Sequence, residues 1–300
     1  MVSRYGIFCM AAETGSFTKT AELLGYSQSA ISQSVKGLEQ ELGCALFHRK
    51  KGGLTLTRDG EQYLPYIQAV YTAEQALMRK NEEMSGLENN TIHIAETTTV
   101  SRRFLPQIIK EFKELHPSVT FVLHHGFYTE VAQWVLDGTA DLGFSDAAEA
   151  PFLQHHILFH DEQMAVMPQD HPLTAKEEVS LADLAAYPFI LLHDERARNP
   201  ALLLEFQRHG LMPQIEYRLG DDDSIMTMVE QGLGISALFQ LFLCSVSTKL
   251  AVRPIKERPE RALSLIWNNW DTMPLAAKHF ARFIEERTPS LLEELKAAKK

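Results

Sequence analysis

Ser29, Ser32, Gln33 and Lys36 fall at i, i+3, i+4 and i+7, one face of a predicted helix. That face is polar, short-chained and free of acids. Serine and glutamine bond base edges, glutamine pairs bidentately with adenine, and lysine meets phosphate. The same stripe also suits a plain solvated helix face. A second group is the hydroxyl run Thr97-Thr98-Thr99-Val100-Ser101, followed by Arg102, where a predicted strand gives way to a helix. Hydroxyls and N–H groups at such a junction suit an anion, although helix capping uses the same residue types.

The elements that would position the first group are short. Ser16 precedes Phe17, Ala21 and Leu24 at helical spacing and can cap that helix, with Lys19 in place of a capping-box partner. Gly25 ends it, and Ser27 caps the next after a turn of about three residues, the length expected in a helix-turn-helix. Ile31, Val35 and Leu38 form the inward stripe of the second helix. Further on, apolar residues flank Lys50-Lys51-Gly52-Gly53, which reads as a two-stranded hairpin with a basic tip. A helix-turn-helix followed by such a wing can set one helix in the major groove and the wing on the neighbouring backbone. An ordinary solvated loop is the alternative for Lys50 and Lys51.

At fixed spacing the chain carries Gly15-Ser16-Phe17-Thr18-x-x-Ala21, Leu24-x-x-Ser27-Gln28-Ser29-Ala30-Ile31-Ser32, Leu38-Glu39-x-x-Leu42-Gly43-x-x-Leu46-Phe47-x-Arg49 and Thr55-Leu56-Thr57-x-x-Gly60. This run resembles the N-terminal domain of LysR-type transcriptional regulators. Ser29 stands where the family often has proline, and Thr20 where it often has a second alanine. The resemblance implies contacts to double-stranded promoter DNA from Ser16, Thr18, Ser27, Gln28, Ser29, Ser32, Gln33, Lys36, Arg49, Lys50, Lys51 and Thr57. It also implies a homodimer or homotetramer, and RNA polymerase as a further partner.

Thr57 can cap a long helix reaching about Met84, with Tyr63, Ile67, Val70 and Leu77 near a heptad seam and Pro65 expected to bend it or delay its start. In the resemblance this helix pairs two heads. The polar run Ser85–Asn90 reads as a hinge. From Thr91 strand and helix patterns alternate, which argues for a mostly parallel sheet covered by helices on both faces. Strands are expected at Thr91–Ala95, Val119–Leu123, Ala140–Phe144, Phe189–Leu192, Gln214–Leu219 and Leu263–Trp267, and a long helix at Pro274–Leu295. Two such halves resemble the periplasmic-binding-protein type II-like effector domain of the same family. Leu105-Pro106, His116-Pro117, Asp141-Leu142-Gly143, His171-Pro172-Leu173 and Gly232-Leu233-Gly234-Ile235 support it.

The expected architecture is therefore an α+β winged helix-turn-helix head (1–60), a linker helix and hinge (61–90), and a two-lobed α/β effector domain (91–300). Its lobes are 91–160 with 268–300, and 161–267. Ligands of open α/β sheets bind at the carboxyl ends of strands. Thr97, Thr98, Thr99, Ser101, Tyr128, Thr129, Ser145, His193 and Ser224 are the expected contacts of a small, anionic effector. Asp146 and the run from Asp221 to Ser224 occupy further strand ends, and Arg102, Arg196 and Arg198 are cationic candidates for a carboxylate.

Charge and composition agree with this division. The formal net charge is −10, yet residues 1–60 hold seven Lys or Arg against five acids, so a mildly basic head sits on an acidic remainder. No apolar run reaches the roughly 18 residues of a membrane span. A polar turn at Glu13 leaves no signal-peptide pattern, and three scattered cysteines argue for a reducing cytoplasm, without a disulfide framework or zinc site. His155, His156 and His160 resemble a metal cluster, but on a strand they are too spread for one ion, so no metal and no cofactor is expected. Gly143-Phe144-Ser145-Asp146-Ala147 approaches a nucleophile elbow but lacks the last glycine, and Gly232-Leu233-Gly234 lacks the third glycine of a dinucleotide fingerprint. An enzyme is not expected. The runner-up reading is a solute-binding or enzymatic α/β protein whose head no longer binds DNA.

Overall fold

The computed structural model describes residues 2–50, 53–84, 91–192, 201–245 and 249–297. The chain divides into two units, Met1–Leu87 and Glu88–Lys300. The first opens with α1 (Arg4–Thr14), capped by Ser3. Its apolar residues are spread around the helix rather than gathered in one stripe, so spacing alone did not reveal it. Then come α2 (Phe17–Leu24) and α3 (Gln28–Leu42), joined by the three-residue turn foreseen above. Ser16 accepts from the Lys19 N–H and Ser27 from the Ala30 N–H, while Gly25 closes α2 in the left-handed conformation at φ 68°. Phe8, Ile31, Val35, Leu38 and Leu46 fill the core between the three helices. Each such side chain contributes roughly 1.5–3 kcal/mol by leaving water.

Strands β1 (Phe47–Lys50) and β2 (Gly53–Leu56) form an antiparallel hairpin. Glu39 of α3 anchors it: Oε1 accepts from the N–H groups of Leu46 (2.8 Å) and Phe47 (3.3 Å). Helix α4 (Arg58–Met84) follows, and it is continuous through Pro65 rather than starting late. Ile67 departs from the expected seam. It is 4% exposed and belongs to the core of this unit, while Tyr66, Val70, Leu77 and Met78 are exposed.

The second unit begins with β3 (Thr91–Glu96), α5 (Thr98–Arg103), α6 (Leu105–Leu115), β4 (Thr120–His125), α7 (Tyr128–Leu136) and β5 (Leu142–Asp146). A 15-residue strand, β6 (Gln154–Pro168), leads to α8 (Leu181–Ala185), β7 (Pro188–Leu192), α9 (Ala201–Arg208), β8 (Gln214–Leu219) and α10 (Asp222–Glu230). The chain returns through β9 (Ser236–Phe239), β10 (Leu250–Pro254) and β11 (Glu260–Trp267), then closes with α11 (Leu275–Ala297).

The expectation of a mostly parallel sheet is corrected. The main sheet runs β10-β6-β11-β5-β3-β4, with β9 also on β6. Only β3–β4 and β3–β5 are parallel in it; β11 with β5 and β6, and β6 with β9 and β10, are antiparallel. The reason is the late strand β11, which inserts between β5 and β6 and runs opposite to both, while β6 takes β9 and β10 in the same antiparallel sense along its second half. A small parallel pair, β7–β8, completes the second half. One core gathers Ile92, Ile94, Phe104, Phe112, Phe144 and Phe280; another gathers Val179, Leu181, Phe189, Phe206 and Ile235. The long strand β6 pairs with β11 at one end and with β9 and β10 at the other, so it runs through both halves.

Candidate functional site

In the first unit, the acid-free stripe lies on α3 as expected. Gln28, Ser29, Gln33 and Lys36 are exposed, Ser32 is half-buried, and Ile31, Val35 and Leu38 are buried on the opposite side. Thr18 of α2 is exposed, and Ser16 caps that helix. The Ser27 and Ser29 hydroxyls lie 2.9 Å apart at the start of α3. A serine at this position therefore supports its own cap, which a proline could not do.

Thr57 is corrected. It is 8% exposed, donates to the Ala45 carbonyl (2.7 Å) and accepts from the Gly60 N–H (2.9 Å). Its hydroxyl ties the hairpin to α4 and is not available to DNA. Gly60 belongs to the same joint, where a Cβ would lie 2.2 Å from the Leu46 carbonyl oxygen. Arg49 and Lys50 lie on β1, but their side chains, and Lys51 altogether, are outside the described residues.

In the second unit, a cavity of about 400 Å³ lies between its two halves. Thr97, Thr98 and Thr99 line it from the start of α5, Tyr128 from α7, Asp221 and Asp222 from α10, and Leu191 and Leu192 from β7. Thr97 Oγ1 is buried with no hydrogen-bond partner, although Thr97 is the residue that begins α5. Thr98 Oγ1 lies 3.4 Å from His125, whose Nδ1 lies 3.2 Å from Glu96 Oε1. Burial pushes the Glu96 carboxyl up, against the opposing pull of His125 and Ser101.

Four other candidates do not reach this cavity. Ser101 donates to the Thr98 carbonyl, so it serves α5 itself. Ser145 is fully buried in the middle of the sheet, opposite Ser264, and its hydroxyl has no partner. That placement also removes the nucleophile-elbow reading, which needs an exposed serine on a turn. Thr129 lies on α7 and Ser224 in the first turn of α10, both away from the lining. His193, Arg196 and Arg198 are outside the described residues. Arg102 is ion-paired with Asp223. The histidines of β6 are exposed, and the described residues contain no cluster able to hold a metal ion.

One well-anchored residue of the site was not legible beforehand. Arg261 sits on β11, 4% exposed, directly across from Asp161 on β6. Its Nη2 and Nε donate to Asp161 Oδ2 at 2.6 and 3.1 Å, its Nη1 donates to the Tyr128 hydroxyl at 2.5 Å, and Phe239 covers its face with the ring centroid 3.8 Å away. Burial alone works against the guanidinium, but Tyr128 and Asp161 outweigh it, and its pKa rises. Burial raises the Tyr128 hydroxyl against the pull of Arg261. Asp222 is 6% exposed, and burial pushes its carboxyl up to about 6, with Asp223 and Asp221 adding to the rise and Arg261 and Arg102 opposing it. The available signal was charge inside two otherwise strand-like runs, Asp161-Glu162 and Glu260-Arg261. Its meaning depends on a register between residues 100 positions apart.

Comparison with known proteins bears on both units. Residues 3–61 match the model of the bacterial regulatory helix-turn-helix protein, lysR family, and residues 85–289 match that of the LysR substrate binding domain. The chain is 28% identical over 288 residues to the uncharacterized HTH-type transcriptional regulator YvbU of Bacillus subtilis, covering 95% of this chain and 98% of that protein. It is 34% identical over 224 residues to the HTH-type transcriptional regulator CysB of Burkholderia cenocepacia, covering 74% and 72%. Among solved structures, full-length CbnR complexed with its target DNA superposes with a TM-score of 0.63 at 20% identity, covering 95% of this chain and 98% of that one. Two family models that together span most of the chain, in the order head then effector domain, leave one conclusion: this protein belongs to the LysR family of transcriptional regulators, and it is not an enzyme.

Proposed function

We propose that this regulator reads double-stranded promoter DNA through α3, with the hairpin on the flanking backbone, under the control of a small effector held in the second unit's cavity. The observation that carries the DNA reading is the exposed, acid-free face of α3. Gln33 is the base-reading residue and Lys36 a phosphate contact. Exposed apolar residues on α4 support pairing of two copies, and a homodimer or homotetramer fits a partly palindromic operator. The working place is the cytoplasm, with RNA polymerase as a further partner. The effector couples to DNA through a free-energy difference of typically about 1–3 kcal/mol.

The expected anionic effector meets a difficulty in the lining. Glu130, Asp146, Glu149, Asp221 and Asp222 face one guanidinium, which Asp161 already neutralises. Thr97 and Thr98 can still donate to an acceptor on the ligand, but the charge around them favours a ligand that also brings hydrogen-bond donors.

Salt dependence tests the DNA reading. Log affinity for a promoter fragment is expected to fall with log salt at a slope near −0.9 per phosphate contact. Salt-independent association, or none on any promoter fragment, refutes it in favour of a solute-binding protein with a silent head.

A further inference from the structure

The cavity's charges are not balanced. Three of its carboxylates are committed to backbone amides: Glu130 to Phe127, Asp146 to Ala148 and Asp221 to Ser224. Asp222 differs from these. It lines the cavity and is 6% exposed, yet its carboxylate makes no hydrogen bond and no ion pair among the described residues. The nearby cations are engaged elsewhere, Arg261 by Asp161 and Arg102 by Asp223. Across the same lining, Thr97 Oγ1 is buried and unpartnered.

A buried carboxylate without donors is costly, and a folded chain normally supplies them. Here the open side of Asp222 is the cavity itself. An ammonium supplies three donors and the opposite charge in one compact group. A ligand carboxylate in its place meets like charge. The remaining lining, including Leu191, Leu192, Leu202, Phe127 and Phe239, suits an apolar body.

We propose, resting on the effector reading of this cavity, that its ligand is a small amine: a protonated amino group seated against Asp222, carried on an apolar body that packs against Leu191, Leu192 and Phe239. The Thr97 hydroxyl takes a second polar group of the same ligand.

Three probes with one body and different heads test it: phenethylamine, phenethyl alcohol and phenylacetate, titrated into the full-length protein at neutral pH by calorimetry. Phenethylamine is expected to bind at least roughly tenfold more tightly than the alcohol, with phenylacetate weakest. Asp222→Asn is expected to weaken phenethylamine by roughly 10- to 100-fold while leaving the alcohol nearly unchanged. The wild-type ranking stands even if a variant misfolds. Phenethylamine binding no better than the alcohol, or absent at about 10 mM, overturns the amine proposal. Preference for phenylacetate, lost in Thr97→Val, overturns it while keeping the cavity as the effector site. Phenethylamine binding that neither Asp222→Asn nor Thr97→Val changes puts the amine elsewhere and overturns the proposal together with its placement in this cavity.

Discussion

Asp222→Asn should make the protein more stable at neutral pH, against the usual direction of a buried substitution. The folded-state pKa of Asp222 is raised from 3.8 to about 6, so the folded chain holds this proton more tightly than the unfolded chain does. Stability from that proton is fully present below the unfolded value and is lost as pH rises through the folded one. Above about pH 6 the wild type therefore carries an ionised carboxylate that burial, Asp223 and Asp221 disfavour and that Arg261 and Arg102 only partly offset. The difference of about two pKa units corresponds to about 3 kcal/mol. Asparagine has the same shape and no charge. The gain should approach that figure at about pH 7.5 and vanish below about pH 3. Urea unfolding followed by tryptophan fluorescence reads the right part of the chain, because Trp134, Trp267 and Trp270 all lie in the second unit. A variant less stable than wild type at neutral pH, or a difference that does not grow between about pH 4 and pH 7.5, would refute the argument.

Other substitutions test the remaining contacts. Arg261→Met leaves Asp161 buried without its partner and should destabilise the second unit by about 3–5 kcal/mol, whereas Tyr128→Phe removes one hydrogen bond and should cost about 1 kcal/mol; equal losses in urea unfolding would show that the ion pair is not the anchor. Glu39→Ala removes the acceptor shared by the Leu46 and Phe47 N–H groups and should cost the first unit about 1–3 kcal/mol, with faster amide exchange at those two positions as the specific sign. Gln33→Ala should weaken binding to a specific operator by about 1–3 kcal/mol and binding to random DNA little, as read by fluorescence anisotropy; equal losses on both would show that Gln33 does not read bases.

The reading from residues alone was strongest where interactions are local. Ser16, Ser27, Gly25 and the Ile31–Val35–Leu38 stripe act within one or two helical turns, so spacing was sufficient to place α2, α3 and the face between them. The hairpin was legible for the same reason, since its two strands are close neighbours along the chain. Thr57 marks the limit of such reasoning. Its capping role is local and was foreseen, but its burial against Ala45 comes from the hairpin folding back.

By its own order of residues the chain determined a helix-turn-helix, a wing, a long helix and an alternating α/β remainder, because caps, glycines and periodicity act over short distances. Tertiary structure alone decided which strands lie antiparallel, which hydroxyls reach the cavity, and which charges meet there. Thr97 and Ser101 are four residues apart and share a type of side chain, yet one faces the cavity and the other bonds its own helix. Arg261 and Asp161 are neighbours only because β11 lies against β6 in one register, and a slip of either strand by one residue would put them on opposite faces. Asp222 differs from Asp221 and Asp223 by burial, a property of the packed wall and not of the aspartate run itself.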